Sequence, residues 1–293
     1  QKPTVAINFD PFGHSLGLVQ ILEQAGYTGY IVTRPGQQDC ALPADEFIWQ
    51  GLADSRIAVH RGFAGYNSQR GEIVDKLERY LSAKAGQENG LLLWGIGNHG
   101  GGPSREDLLA IGQFAREHPE ITFVHGTPET YFAERFADHS GFPTFDRSLN
   151  PWAVGCYTSQ IRIKQLHRAL ENAIYQGEKM ISAAMLAGVM PADSPCHAGL
   201  AAARKDLLFC QFHDILPGSS IEPVEAMSLR VLSHGLEEMS RSRMLAFTTL
   251  LSGQATAAEG EIPIFIYNPH PHPVEGVFSC EFQLADQNWT DSF

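Results

Sequence analysis

Two short stretches gather side chains able to hold or move charge: Phe9-Asp10-Pro11-Phe12-Gly13-His14 near the start, and Gln211-Phe212-His213-Asp214-Ile215-Leu216-Pro217-Gly218-Ser219-Ser220 far downstream. Pro11 and Gly13 restrict the backbone around Asp10, so its carboxylate is offered from a bent segment. A turn or cap aspartate is the plain alternative. His213 and Asp214 are neighbours whose side chains should diverge, so one suits a metal and the other a hydrogen bond to a ligand. Asp10 and His213 are acceptable zinc ligands, but two donors are too few. No His-x-Asp or His-x-x-x-His pair completes the set. A third stretch, Gly97-Asn98-His99-Gly100-Gly101-Gly102-Pro103, reads as a turn or an anion cradle.

These residues need a scaffold. From Thr4 to about Asn150 short apolar runs alternate with amphipathic ones, as in βα units around a parallel sheet. The expected strands are Thr4 to Phe9, Gly29 to Thr33, Arg56 to His60, Leu91 to Gly95 and Ile121 to His125. The expected helices lie near Leu16 to Ala25, Ser68 to Ala85, Arg105 to His118 and Pro128 to Asp138. Asp10, Arg34 and the 97–103 loop all follow strands, which in a β/α barrel places them on the active-site face. Helical spacing then covers Tyr157 to Leu186, His197 to Gln211 and Glu222 to Leu251, an antiparallel three-helix bundle. Beyond a Gly/Ala/Glu linker, Ile264 to Tyr267 and Gly276 to Phe282 read as two strands of a β domain. His270 and His272, alternating with proline between them, read as exposed loop residues.

Composition excludes some functions. The chain has 293 residues, a formal net charge of -12 and 18% charged residues, with no basic run of the kind nucleic-acid binding requires. It has no apolar stretch long enough for a membrane span. Five cysteines without C-x-x-C spacing indicate neither a disulfide framework nor a thiolate zinc site, and make a reducing, cytoplasmic compartment the default expectation. The chain opens at Gln1 close to a strand and stops at Phe293 within β-like sequence, which reads as a fragment.

Taken together, these segments resemble the retaining α-mannosidases of glycoside hydrolase family 38. Besides the three stretches above, the matches are Thr33-Arg34-Pro35, Trp49-Gln50-Gly51 with Asp54-Ser55-Arg56, Leu149-Asn150 and Gly155-Cys156-Tyr157-Thr158-Ser159, all in family order. The resemblance implies an α/β fold: a seven-stranded β/α barrel lacking its first strand or strands over 1–150, a three-helix bundle over 151–253, and the beginning of a β-sandwich over 262–293. It further implies that Asp10 is both nucleophile and zinc ligand, that His213 is a second ligand, and that the remaining ligands come from a His-x-Asp motif upstream of this chain. By the same token, zinc holds sugar hydroxyls, Asp214 accepts one in a hydrogen bond, Arg34 is the counter-charge of Asp10, Asn98 orients substrate and Tyr157 contacts sugar. Some family members have an aspartate in the loop that here reads Asn98-His99, so His99 is the candidate acid/base. His14 is expected to pin the Asp10 turn through the backbone, and Trp49 to be core.

The substrate implied is a mannoside or mannose-containing oligosaccharide, and a homo-oligomer is a state that the resemblance allows. A fragment without its first strand should be inactive alone. Two rival readings stay open: a metal-dependent carbohydrate deacetylase on a related barrel, and a sugar-binding homologue impaired in catalysis by the missing loop carboxylate.

Overall fold

The computed structural model describes residues 2–97, 101–151 and 153–281. The chain divides into two compact units, Gln1–Tyr157 and Thr158–Phe293.

The first unit is built on five strands, β1 (Val5–Asn8), β2 (Gly29–Val32), β3 (Glu46–Gln50), β4 (Arg56–Arg61) and β5 (Thr144–Phe145), with helices α1 (Leu18–Gln24), α2 (Ile73–Ala83), α3 (Arg105–Glu117) and α4 (Pro128–Arg135). The strand order is β1-β2-β4-β3-β5. β1, β2 and β4 pair in parallel, whereas β3 runs antiparallel to β4. Side chains alternate across this sheet with the period of two that a pleated strand imposes. Tyr30, Val32, Phe47, Trp49, Ile57 and Val59 join Val19 and Leu22 of α1 on one face. Ile31, Ile48 and Ala58 join Tyr131, Phe132 and Phe136 from α4 and the residue after it on the other. Both faces are therefore covered, which is why the strands read as continuous apolar runs.

The α/β class matches the sequence reading, but the sheet is open and mixed, not closed. Two expected strands do not form: among the described residues, 91–97 makes only an isolated bridge between Ser68 and Ile96, and 121–125 joins no ladder. A strand needs a partner's backbone. Here the apolar side chains are consumed by helix packing instead, Leu92, Trp94 and Phe123 lying against Ile73, Leu77, Ile111 and Phe114 of α2 and α3. Conversely, β3 and β5 were not expected. β4 returns on β3 after only a short 3-10 turn at Leu52–Asp54, so no α-helix separates them and the βα alternation is broken.

One buried cation belongs to the frame of this unit. Lys76 of α2 is 2% exposed, and its ammonium donates to the carbonyls of Gly65, Asn67 and Leu93 at 3.1, 2.8 and 2.9 Å. Three carbonyl dipoles hold the charge in place of water.

The second unit consists of α5 (Ile161–Leu186), α6 (Cys196–Cys210) and α7 (Glu222–Leu251), close to the spans read from spacing. Gly235 of α7 abuts Leu170 of α5 and Asp206 of α6, Gly177 of α5 abuts Met239, and Gly199 of α6 abuts Ser242. Contacts thus advance along α5 and α7 together and run backwards along α6, an up-down-up arrangement. One core fills it, with Ile163, Leu170, Leu232, Met239 and Ala246 fully enclosed. Residues 262–281 form no strand ladder among the described residues, and Val277 and Phe278 are exposed. Two lone segments have no sheet on which to bury an apolar face.

Candidate active site

Parallel pairing of β1 and β2 sets Asn8 opposite Val32. Two residues further on, Asp10 and Arg34 leave the sheet side by side, and Arg34 Nε lies 2.7 Å from Asp10 Oδ1. The side chains keep 39% and 52% of their surface, so the carboxylate is oriented but still reachable by a solute. The seam continues past the strands, because the Thr33 hydroxyl donates to the Phe9 carbonyl. The Arg34-Pro35 peptide is cis.

The turn after Asp10 is tied to distant chain. Gly13 sits at φ +144°, and a Cβ there would come within 2.3 Å of Asn150 Cβ, so only glycine allows this approach. His14 then exchanges backbone hydrogen bonds with Leu149 at 3.0 and 2.9 Å. Its imidazole is 2% exposed, with Nδ1 2.6 Å from Tyr30 Oη and Nε2 2.9 Å from the Arg34 carbonyl. Burial lowers the His14 pKa, opposed by the bond to Arg34. Tyr157 donates to the Gly13 carbonyl at 3.1 Å and packs edge-on to Phe12 at 6.2 Å. Burial raises its phenol pKa. Tyr157 thus braces the Asp10 turn. Trp49 is fully buried and donates to the Arg147 carbonyl at 2.9 Å, a core residue.

Asn98 and His99 lie outside the described residues. The neck of their loop is described: Ile96 N–H donates to the Gly102 carbonyl at 2.9 Å, and Ser68 N–H to that of Gly95 at 2.8 Å.

In the second unit, α6 ends at Cys210 and the chain turns through Gln211–Gly218. His213 and Asp214 are 64% and 47% exposed, with Nε2 3.5 Å from Oδ2. The two side chains therefore lean toward each other, contrary to the divergence expected of neighbours in regular structure, because the helix has already ended. Asp214 Oδ1 also accepts from Ser219 Oγ at 2.8 Å, which holds the carboxylate to the turn.

Among the described residues no three His, Cys, Asp or Glu side chains gather into a group able to hold a metal. Asp10 and His213 supply one donor in each unit, so the described residues alone do not fit a complete metal centre. Tyr30 was missed by the sequence reading. The available signal was a lone tyrosine in the apolar run Gly29-Tyr30-Ile31-Val32 leading to Arg34.

Residues 1–153 match the family model described as Glycosyl hydrolases family 38 N-terminal domain, and residues 152–250 match Alpha mannosidase middle domain. The chain is similar to Alpha-mannosidase G of Dictyostelium discoideum, 30% identical over 230 residues that cover 73% of this chain and 20% of that protein. Alpha-mannosidase 2C1 of Homo sapiens is 27% identical over 259 residues, 85% of this chain and 23% of that protein. The chain thus spans about a fifth to a quarter of the length of these relatives. In fold it is similar to the crystal structure of an alpha-mannosidase from Enterococcus faecalis V583, with a TM-score of 0.61 at 17% identity, over 86% of this chain and 30% of that one. No helix among the described residues is long and apolar enough to cross a membrane.

Proposed function

The chain belongs to glycosyl hydrolase family 38, and from that premise we propose that it acts in an α-mannosidase, with Asp10 attacking the anomeric carbon of an α-linked mannose in a retaining, double-displacement hydrolysis. The observation that carries this reading is the Asp10–Arg34 pair at the carboxyl ends of adjacent parallel strands, joined at 2.7 Å yet half open to solvent. Ligands and substrates bind at that end of parallel α/β sheets. Arg34 aims the carboxylate, and an aimed nucleophile avoids much of the orientational cost of the bimolecular step.

In a retaining mechanism the departing oxygen must gain a proton from a second group about 5 to 5.5 Å from the nucleophile. The 97–103 loop is the proposed source, with His99 as acid/base and Asn98 orienting the substrate. Asp214, tethered by Ser219, is proposed to accept a sugar hydroxyl, and Tyr157 to flank the sugar while bracing the Asp10 turn. A zinc ion with Asp10 and His213 among its ligands belongs to the same proposal, the rest of its shell lying outside the described residues. Such an ion, when bound, would hold sugar hydroxyls. The seven-stranded barrel is likewise proposed, and the fold likeness to the Enterococcus enzyme supports the architecture only.

The deciding experiment treats the full-length protein with a fluorinated mannosyl fluoride and maps the labelled peptide. A mannosyl adduct on Asp10 is the expected result. Release of acetate from an acetylated glycan with no adduct would establish the deacetylase reading instead. Mannoside binding without turnover, unchanged by His99→Ala, would leave a binding protein. Metal analysis of the same sample should return about one zinc per chain, lowered by His213→Ala.

A further inference from the structure

Asp10 and Arg34 touch, but neither is buried enough to be fixed by packing alone. A long arginine side chain loses about 1.5 to 2 kcal/mol of rotamer freedom when held in one geometry, and an exposed ion pair contributes only about 0 to 1 kcal/mol. The guanidinium reaches from a backbone whose carbonyl is itself held by the enclosed ring of His14.

The protons in that contact can be placed by elimination. The Arg34 carbonyl only accepts, so His14 Nε2, 2.9 Å away, carries the hydrogen. Burial keeps the ring neutral, so Nδ1 is an acceptor and takes the Tyr30 Oη proton at 2.6 Å. The ring is thereby a neutral Nε2–H tautomer with both nitrogens committed. Trp49 closes over it edge-on at 6.3 Å. The contacts run in series: Asp10 to the Arg34 guanidinium, the Arg34 carbonyl to His14, and His14 to Tyr30. Burial lowers the His14 pKa and raises that of Tyr30 to about 12, so both groups stay neutral near pH 7.

We propose that His14, locked in a single tautomer by Tyr30, is the positioning residue that holds Arg34 against Asp10, and that without it the carboxylate is present but misaimed. The inference deepens the functional reading above and rests on it for its kinetic consequence. Histidine is required because it must give one hydrogen bond and take another across a rigid ring. The nearest substitute for half of the job is glutamine, whose amide nitrogen can reach the Arg34 carbonyl from about the place of Nε2.

The test uses the full-length protein, an aryl α-mannoside and three variants. His14→Leu should lower kcat/KM by about 100-fold, the loss falling on kcat, as misplacement of a reacting group does. His14→Gln should recover at least about tenfold of that loss, and Tyr30→Phe should lie between Gln and Leu. A second readout needs no turnover: in nitrogen-15 NMR the Arg34 Nε–H should exchange with water faster in His14→Leu than in the parent and return toward the parent rate in His14→Gln. Folding is checked by melting temperature. Where His14→Leu does not fold, Tyr30→Phe and His14→Gln carry both readouts. Folded variants with parent kcat/KM and parent Arg34 exchange would overturn the proposal. So would a loss in Leu that Gln does not relieve. A parent enzyme that never cleaves the mannoside would sink the functional reading alone, and Arg34 exchange would then decide the inference.

Discussion

Of the carboxylate–arginine pairs on the sheet, two are built in opposite ways. Asp10 and Arg34 meet just beyond the ends of β1 and β2, with 52% and 39% of their side chains exposed. Glu46 and Arg135 meet at the start of β3, under α4, with 10% and 32% exposed. Glu46 accepts from Arg135 Nε at 2.9 Å and from the Tyr131 hydroxyl, and His60 Nδ1 lies 3.4 Å from it. Burial pushes its pKa up, but the hydrogen bonds from His60, Tyr131 and Arg135, with the Arg135 charge, outweigh that and hold it at about 2. A carboxylate surrounded by donors has nothing left to offer a substrate. The half-open one does.

The contrast can be broken from either side. On the proposed reading, Asp10→Asn should lower kcat of the full-length protein by about 10³-fold or more, since the proposed nucleophile is lost. Its melting temperature should move little, because an exposed pair contributes about 0 to 1 kcal/mol. Glu46→Ala should do the reverse. Removing one member of a buried pair costs about 3 to 5 kcal/mol, read as a lower denaturant midpoint, with activity per folded molecule retained. A variant of Glu46 that folds normally but does not turn over would erase the distinction.

Acid sharpens the same comparison. Glu46 has a native pKa of about 2 against an ordinary 4.5, so the unfolded state binds the extra proton. Its stabilisation is complete above pH 4.5 and lost as pH falls from there toward 2, in all about 3 kcal/mol. His14 and His167 are lowered from 6.5, chiefly by burial, so they too favour unfolding as pH drops, beginning near 6.5. Stability against pH should therefore decline gently from 6.5 and steeply below 4.5, and Glu46→Gln should flatten the lower limb. Tyr131→Phe, which removes one donor from that carboxylate, should cost about 1 to 3 kcal/mol. At the small end, Arg70→Ala breaks the pair with Glu106, whose side chains are 71% and 56% exposed, and should change stability by less than about 0.5 kcal/mol.

The same pairs show what could be read from sequence. β1, β2 and β4 are apolar runs closed by polar residues, so Asp10 and Arg34 were legible as strand-end neighbours. β3 was not, because it opens with Glu46 straight after Asp45, charges that look like loop. They are tolerable in a sheet only because Arg61 and Lys84 meet Asp45, and Arg135 meets Glu46, from remote positions. Local pattern carries no record of such partners. Leu91 to Gly95 misled in the opposite sense, since an apolar run specifies burial but not whether a ladder or a helix does the burying. The tautomer-setting contact of Tyr30 with His14 joins residues on different elements and needed coordinates. The three helices of the second unit, whose apolar spacing is sustained over many turns, fell close to their expected spans.

Lys76 lends itself to a different use. Its amine is lowered to about 8, chiefly by burial with the Arg79 charge adding to it, so near that pH much of it would be uncharged and reactive, were a reagent able to arrive. It cannot while the carbonyls of Gly65, Asn67 and Leu93 enclose it. Acylation at this position therefore proceeds only during excursions that pull the 65–67 loop or the 93–95 segment off α2. Its labelling rate, set beside that of exposed Lys2, is a built-in clock for how often the 65–67 loop or the 93–95 segment leaves α2.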